Sequence, residues 1–283
     1  MTVILKGKEL AEKIRNNIAD EISNLAVKPS ITVIIVGEDP ASRVYVKKKK
    51  EAAIQAGMTS EIKELKVSTT QEELEKLLDS INNNPDINAV LVQLPLPKHI
   101  NSADIIQKIS PLKDVDGFHP LNVGMLNSGL KPYAVPCTPA GVIRLLEEYN
   151  IDIESKHAVV VGRSNIVGKP ISTLLLNKNA TVTTCHSKTK NLVEITKNAD
   201  ILISAIGKPG FITAEHIKEG AVVIDVGINR TAEGKLTGDV DFINVQEKAS
   251  YITPVPGGVG PMTIAMLLSN TLNLYKLQME NKK

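Results

Sequence analysis

Lysine, glutamine, aspartate and tyrosine stand at four places in this 283-residue chain where they could act on one small molecule. Tyr45 and Lys49 are four residues apart on a predicted helix, so they project from one face and can meet the same ligand. An amine there can move a proton, or in its charged form stabilise a developing oxyanion. The residues leave both roles open. Lys49 belongs to the run Lys47–Lys50, whose plainer reading is a solvated helix face, and periodicity does not separate Lys48 from Lys49. Gln93 closes a predicted strand just before Pro95, at the carboxyl edge where ligands gather in open α/β sheets. Asp114 and Asp116 flank Val115 in a loop that reaches Gly117, either as binding residues or as turn formers.

A second constellation follows the strand ending at Val161. In Gly162-Arg163-Ser164-Asn165-Ile166-Val167-Gly168 the glycines allow a strand to turn tightly into a helix, whose amino terminus then faces a phosphate. Serine at 164 replaces the second glycine of the usual fingerprint, so the motif alone is weak. An NAD site expects a carboxylate about twenty positions on, to hold the ribose hydroxyls. The next strand instead ends in Cys185-His186-Ser187-Lys188. Arg163 supplies a permanently charged fork suited to a phosphate monoester, with Ser187 and Lys188 as further donors, which favours NADP. Near the far end, Thr253 to Thr263 packs prolines and glycines into a rigid loop with exposed backbone donors, and one of its X-Pro bonds is a candidate for cis.

The elements that position these groups alternate strand and helix throughout, the pattern of βαβ units and a parallel sheet. The first half reads as a helix over 7–26, strands over 31–36, 62–67 and 88–94, and helices over 41–55 and 71–83, with Gly57 closing the first of these two helices. From Pro111 to Pro139 the chain is loop-rich. A helix over 139–149, capped by Thr138, leads to strands at 157–161, 181–185, 201–205 and 221–226, a Rossmann-like cadence. An amphipathic helix from about Met262 to Gln278 ends the chain. The expectation is an α/β protein of two α/β domains with a cleft between them: 1–138, to which the terminal helix 263–283 returns, and a Rossmann-like NADP-binding domain over 139–262.

Composition narrows the function class. The 33 basic and 31 acidic side chains nearly balance, which argues against a nucleic-acid footprint. Apolar runs are strand-length, so no membrane partner is expected and the reading is cytoplasmic. Two unpaired cysteines and scattered histidines give no metal or disulfide framework; Cys137 and Cys185 read as packing. Tryptophan is absent, so a flat heterocycle must stack on one of few aromatics.

Five motifs in order resemble the bifunctional methylenetetrahydrofolate dehydrogenase/cyclohydrolases over nearly the whole chain: Glu38-Asp39-Pro40-Ala41-Ser42 leading to Tyr45 and Lys49, Val92-Gln93-Leu94-Pro95-Leu96-Pro97, Lys113-Asp114-Val115-Asp116-Gly117-Phe118, Gly162 through Gly168, and Pro254 through Thr263. The resemblance implies NADP-dependent oxidation of a methylene bridge, then hydrolysis of the methenyl product, by a homodimer. It implies that Lys49 is the catalytic lysine with Gln93 beside it, that Asp116 holds the pterin, and that Tyr45 stacks on the folate. Gly257, Gly258, Pro261 and Thr263 correspond to a loop over folate and nicotinamide. Gly162, Arg163, Ser164, Ile166, Gly168 and Ser187 form the cofactor site, with Ile228 as a backbone contact. Another two-domain NADP-dependent oxidoreductase and a non-catalytic nucleotide-binding module are the competing readings.

Overall fold

In a computed structural model of the chain, which describes residues 1–231 and 233–280, the alternation resolves into two parallel sheets. The chain opens with β1 (Val3–Ile4) and α1 (Gly7–Ser23), then runs β2 (Ser30–Val36), α2 (Pro40–Gln55), β3 (Thr59–Leu65), α3 (Gln71–Asn83) and β4 (Ala89–Val92). Two short helices follow, α4 (Ser102–Lys108) and α5 (Pro120–Asn127). The second falls where only loop was expected, and the first in a stretch to which the sequence assigned no element. Beyond them come α6 (Cys137–Glu148), β5 (His157–Val161), α7 (Gly168–Asn177), β6 (Thr181–Cys185), α8 (Leu192–Thr196) and β7 (Ile201–Ser204). The remainder is β8 (Val222–Asp225), a small hairpin of β9 (Asn229–Arg230) and β10 (Leu236–Thr237), α9 (Phe242–Gln246), β11 (Tyr251–Ile252) and α10 (Val259–Glu280).

The chain divides into two compact units. One, here the Lys49 unit, comprises Lys13–Val135 with Leu267–Lys283; the other, the Gly162 unit, comprises Met1–Glu12 with Pro136–Met266. The first residues thus sit with the Gly162 unit and not with the first half of the chain, because β1 adds to that unit's sheet through parallel pairing of Val3 with Tyr251 and Ile4 with Ile252. The last three residues of the expected terminal helix, 281–283, lie outside the described residues.

In the Lys49 unit the sheet order is β3-β2-β4, all parallel. The central strand is buried from Ile31 to Val36, which is why a continuous β-branched run rather than an alternating one forms it. Packed on one side are Leu74, Leu78 and Ile81 of α3, against Ile34, Val90 and Val92. Thr70 and Glu73 start α3 by bonding each other's backbone N–H. Asp39 starts α2, its carboxylate accepting from the Ser42 N–H, with Pro40 in the first turn.

In the Gly162 unit six strands lie in the order β1-β11-β8-β7-β5-β6. Every pairing among them is parallel. Val159, Val161, Leu202, Val223 and Ile252 point into one core with Cys185, which is fully buried. The expectation that Thr138 caps α6 is not met. The helix starts earlier, at Cys137 after Pro136, and the Thr138 hydroxyl instead meets that of Thr263 at 2.9 Å.

Candidate active site

Helix α2 carries Tyr45 and Lys49 one turn apart, both half-buried, while Lys47 and Lys48 are exposed. That difference separates the lysines that periodicity could not. Lys49 Nζ donates to Gln93 Oε1 at 2.9 Å. The glutamine arrives there because its own N–H continues the ladder past β4, donating to the Ile34 carbonyl at 2.8 Å. Its Nε2 donates to the Leu94 carbonyl at 2.7 Å. An ammonium only donates and a carbonyl only accepts, so this is the one amide orientation that satisfies both neighbours. Gln93 therefore presents a fixed neutral acceptor to the amine. The Leu94–Pro95 peptide beside it is cis.

Asp114 and Asp116 separate clearly. Asp114 is 2% exposed and accepts from the His119 N–H at 2.8 Å and from Asn122 Nδ2 at 2.9 Å. Burial pushes its carboxyl up, against those hydrogen bonds. It fastens the loop from within, beside Val90, with which it forms a parallel bridge. Asp116 is half-buried. The loop is also held from α10, where Asn270 Nδ2 donates to the carbonyls of Val115 and Val135, both at 2.8 Å. Lys47 and Lys50, on the face of α2 away from Lys49, line a separate cavity of about 450 Å³ with Arg43, Glu51 and Glu64. Ion pairs of Arg43 with Glu64 and Lys47 with Glu51 offset much of the positive charge there.

The expected dinucleotide turn in the Gly162 unit is built as its glycines require. Gly162 has φ of +135°, and a Cβ there would stand 2.4 Å from the Ala205 carbonyl oxygen. A Cβ on Gly168 would lie 2.3 Å from the Gly162 oxygen. Ser164, the departure from the usual fingerprint, has a use of its own: its Oγ accepts from the N–H groups of Val167 and Gly168 at 3.2 and 3.3 Å, closing the turn into α7. Arg163, Ser164, Asn165 and Ile166 are exposed around it, as are Ser187 and Lys188 beyond β6. These residues fit a dinucleotide carrying an extra phosphate: close-approach glycines, a helix amino terminus, a guanidinium, and no carboxylate at the end of the second strand.

The loop of Gly257, Gly258, Pro261 and Thr263 belongs to the same unit as this turn. The Lys8 N–H donates to the Gly257 carbonyl at 2.9 Å, and Gly7 has no side chain because a Cβ would stand 2.0 Å from the Gly258 oxygen. Of the two prolyl bonds in the loop's first half, Val255–Pro256 is the cis one. Ile228 is exposed after β8. Sequence reasoning passed over two buried carboxylates nearby, Asp225 at the end of a predicted strand and Asp239 after Gly238. Burial pushes the Asp225 carboxyl up to about 6, and the adjacent Asp239 adds to the rise, against three backbone N–H donors. A carboxyl held above its ordinary 3.8 takes up a proton on folding, so its contribution to stability is full below that value and is lost as pH rises through 6. Asp225→Asn should flatten this slope. Thermal melts at about pH 4.5 and about pH 7.5 should show the wild type losing about 2 kcal/mol relative to the variant; parallel profiles would mean that Asp225 titrates normally.

Among the described residues, no cluster of three or more metal-ligating side chains occurs, and no helix is long and apolar enough to cross a membrane. Residues 136–279 match the model for the tetrahydrofolate dehydrogenase/cyclohydrolase NAD(P)-binding domain, and residues 5–116 match that for the catalytic domain. The chain is 57% identical over 277 residues to the bifunctional protein FolD of Halalkalibacterium halodurans, covering 97% of this chain and 99% of that one. Its fold superposes on the crystal structure of the FolD methylenetetrahydrofolate dehydrogenase/cyclohydrolase of Campylobacter jejuni with a TM-score of 0.97, at 48% identity and coverage of 98% and 99%. It superposes on the Trypanosoma brucei enzyme complexed with NADP cofactor and inhibitor with a TM-score of 0.94, at 39% identity and 98% coverage of both chains.

Proposed function

Because this chain belongs to the tetrahydrofolate dehydrogenase/cyclohydrolase family, we propose that it oxidises 5,10-methylenetetrahydrofolate with NADP and then hydrolyses the methenyl product to 10-formyltetrahydrofolate. The Lys49–Gln93 hydrogen bond carries this reading from the structural side, because it places an amine and a fixed neutral acceptor together at the carboxyl edge of a parallel sheet.

When bound, NADP accepts a hydride from the methylene carbon. The substrate left behind is an amidinium-like cation, and no proton need move in that step. The protein's part is alignment: Tyr45 stacks on the flat ring system, Asp116 hydrogen-bonds the pterin, and Gly257, Gly258, Pro261 and Thr263 contribute the loop on the cofactor side. Gly162, Arg163, Ser164, Ile166, Gly168, Ser187 and the Ile228 backbone hold the dinucleotide, with Arg163 on the additional phosphate. Hydrolysis differs. Water adds to the methenyl carbon, a proton leaves that water, and a ring C–N bond opens with protonation of the departing nitrogen. Lys49, held by Gln93, assists that proton movement or stabilises the oxygen on which charge develops. The Lys49 unit is the folate-binding catalytic domain and the Gly162 unit the NADP-binding one. The protein works as a homodimer in the cytoplasm.

Mixing the purified protein with methylenetetrahydrofolate and NADP should generate the absorbance of reduced cofactor at once, with methenyl product rising and then decaying to the formyl compound. Reduced cofactor with persistent methenyl product would remove the second activity, and a silent mixture would remove both.

A further inference from the structure

Beyond the carboxyl ends of β7 and β8 the backbone leaves the sheet, and its N–H groups need new partners. Two buried side chains supply them. Asp239, fully buried, accepts at Oδ2 from the N–H groups of Ile206 and Gly207 at 2.8 and 3.2 Å and from the Ser204 hydroxyl at 3.3 Å. Its Oδ1 accepts from the Lys208 N–H at 2.8 Å and from Asn229 Nδ2 at 3.0 Å. Asp225, 3% exposed, accepts at Oδ1 from the N–H groups of Gly227 and Asp239, both at 2.9 Å, and at Oδ2 from that of Val240 at 2.9 Å.

The glycines around this pair make room for it. A Cβ on Gly227 would stand 2.3 Å from Asp239 Oδ1, and one on Gly238 would stand 1.8 Å from Asp225 Oδ2. Two carboxylates buried side by side are a costly way to fasten loops, since apolar packing of like volume does so without desolvating charge. Local rules are broken in this way chiefly where geometry serves a ligand. Here the arrangement pins Ile228 from both flanks: the Gly227 N–H is held by Asp225 and the Asn229 side chain by Asp239, while Ile228 itself is 45% exposed.

We propose that Asp239, seated by Asp225, is a positioning residue for the dinucleotide: one carboxylate sets the backbone of the turn over Ile206–Lys208 and, through Asn229, that of Ile228, so that both present a fixed edge to the cofactor. This rests on Ile228 being a cofactor contact. Neither carboxylate touches substrate or NADP.

Asp239→Asn keeps the volume but turns a donor toward N–H donors, and Asn229→Ala removes one link while sparing the buried pair. Dissociation constants for NADP, measured by titration calorimetry, should rise at least about tenfold in Asp239→Asn and about threefold in Asn229→Ala. The Michaelis constant for NADP should follow them, with kcat at saturating cofactor held within about threefold. A merely structural role would lower melting temperature and active fraction and leave the affinity of the folded molecules unchanged, which would overturn the proposal. Should Asp239→Asn fail to fold, the Asn229→Ala affinity decides. Hydrogen exchange on the wild type separates the two layers. NADP should slow exchange at residues 226–229; absence of that protection sinks the Ile228 contact and this inference with it, whereas protection with unchanged affinity in the variants sinks the inference alone.

Discussion

Replacing Lys49 with alanine should lower methenyltetrahydrofolate hydrolysis by about a thousandfold while methylenetetrahydrofolate oxidation falls by no more than about tenfold. The asymmetry follows from the chemistry of the two steps. Hydride loss needs alignment and no proton acceptor, whereas water addition needs an acceptor for its proton or a cation beside the developing charge. Lys49 is the amine held at 2.9 Å from a neutral amide oxygen, so on the proposed mechanism its removal deprives the second step of its principal catalyst and the first of one contact. Separate assays, one following reduced cofactor and one following decay of added methenyl substrate, give the comparison. Equal losses would show that Lys49 serves binding alone. Lys49→Arg then distinguishes the two roles, since a guanidinium keeps its charge and cannot serve as base. Partial hydrolysis in that variant would favour charge stabilisation, and a loss matching alanine would favour proton transfer.

Arg163→Ala should raise the Michaelis constant for NADP about 30- to 150-fold and leave that for NAD nearly unchanged. A charge-assisted hydrogen bond to a phosphate is worth about 2–3 kcal/mol when one partner is removed, and NAD lacks the group that Arg163 is assigned to hold. Ser187 and Lys188, exposed beyond β6, remain to hold part of the affinity, so binding weakens without disappearing. The ratio of the two constants is the deciding quantity. If both cofactors lose affinity alike, Arg163 shapes the turn between Gly162 and Gly168 instead of reading the phosphate.

How far the sequence speaks for itself varies with the physics of each element. The strands at 157–161 and 181–185 and the helix at 71–83 match their expected bounds, because burial along the first strand, a β-branched run in the second and a capping box at Thr70 and Glu73 write the signal locally. Helices α4 and α5 were not legible. Each is about two turns long, and α5 carries Gly124 in its middle, so packing rather than propensity sustains them. Strand β3 begins at Thr59, three residues before the expected Ile62, since its pairing with β2 starts at Ser30 and runs through the register whatever the local side chains prefer. Thr138 looked like a cap and bonds Thr263 instead, a partner 125 residues away.

The site shows the same division. The spacing of Tyr45 and Lys49 placed them on one face, yet choosing Lys49 over Lys48 required the long-range approach of Gln93, 44 residues on. Asp114 is buried and Asp116 only half-buried, a difference that no local pattern encodes. Asp225 and Asp239 were invisible for the opposite reason: most of their partners are backbone N–H groups, and backbone leaves no mark in a sequence.

The end of the chain has a bearing on how the molecule comes into being. Asn273 donates to the Tyr133 carbonyl, and Gln278 to those of Asn88 and Leu112, as Asn270 does to Val115 and Val135. A ribosome that has released only 266 residues has therefore delivered Lys49 and Gln93 and none of the α10 amides that hold these five carbonyls. The half of the enzyme synthesised first is completed last, and a nascent or clipped polypeptide short of its final helix carries Lys49 and Gln93 on an unfinished scaffold.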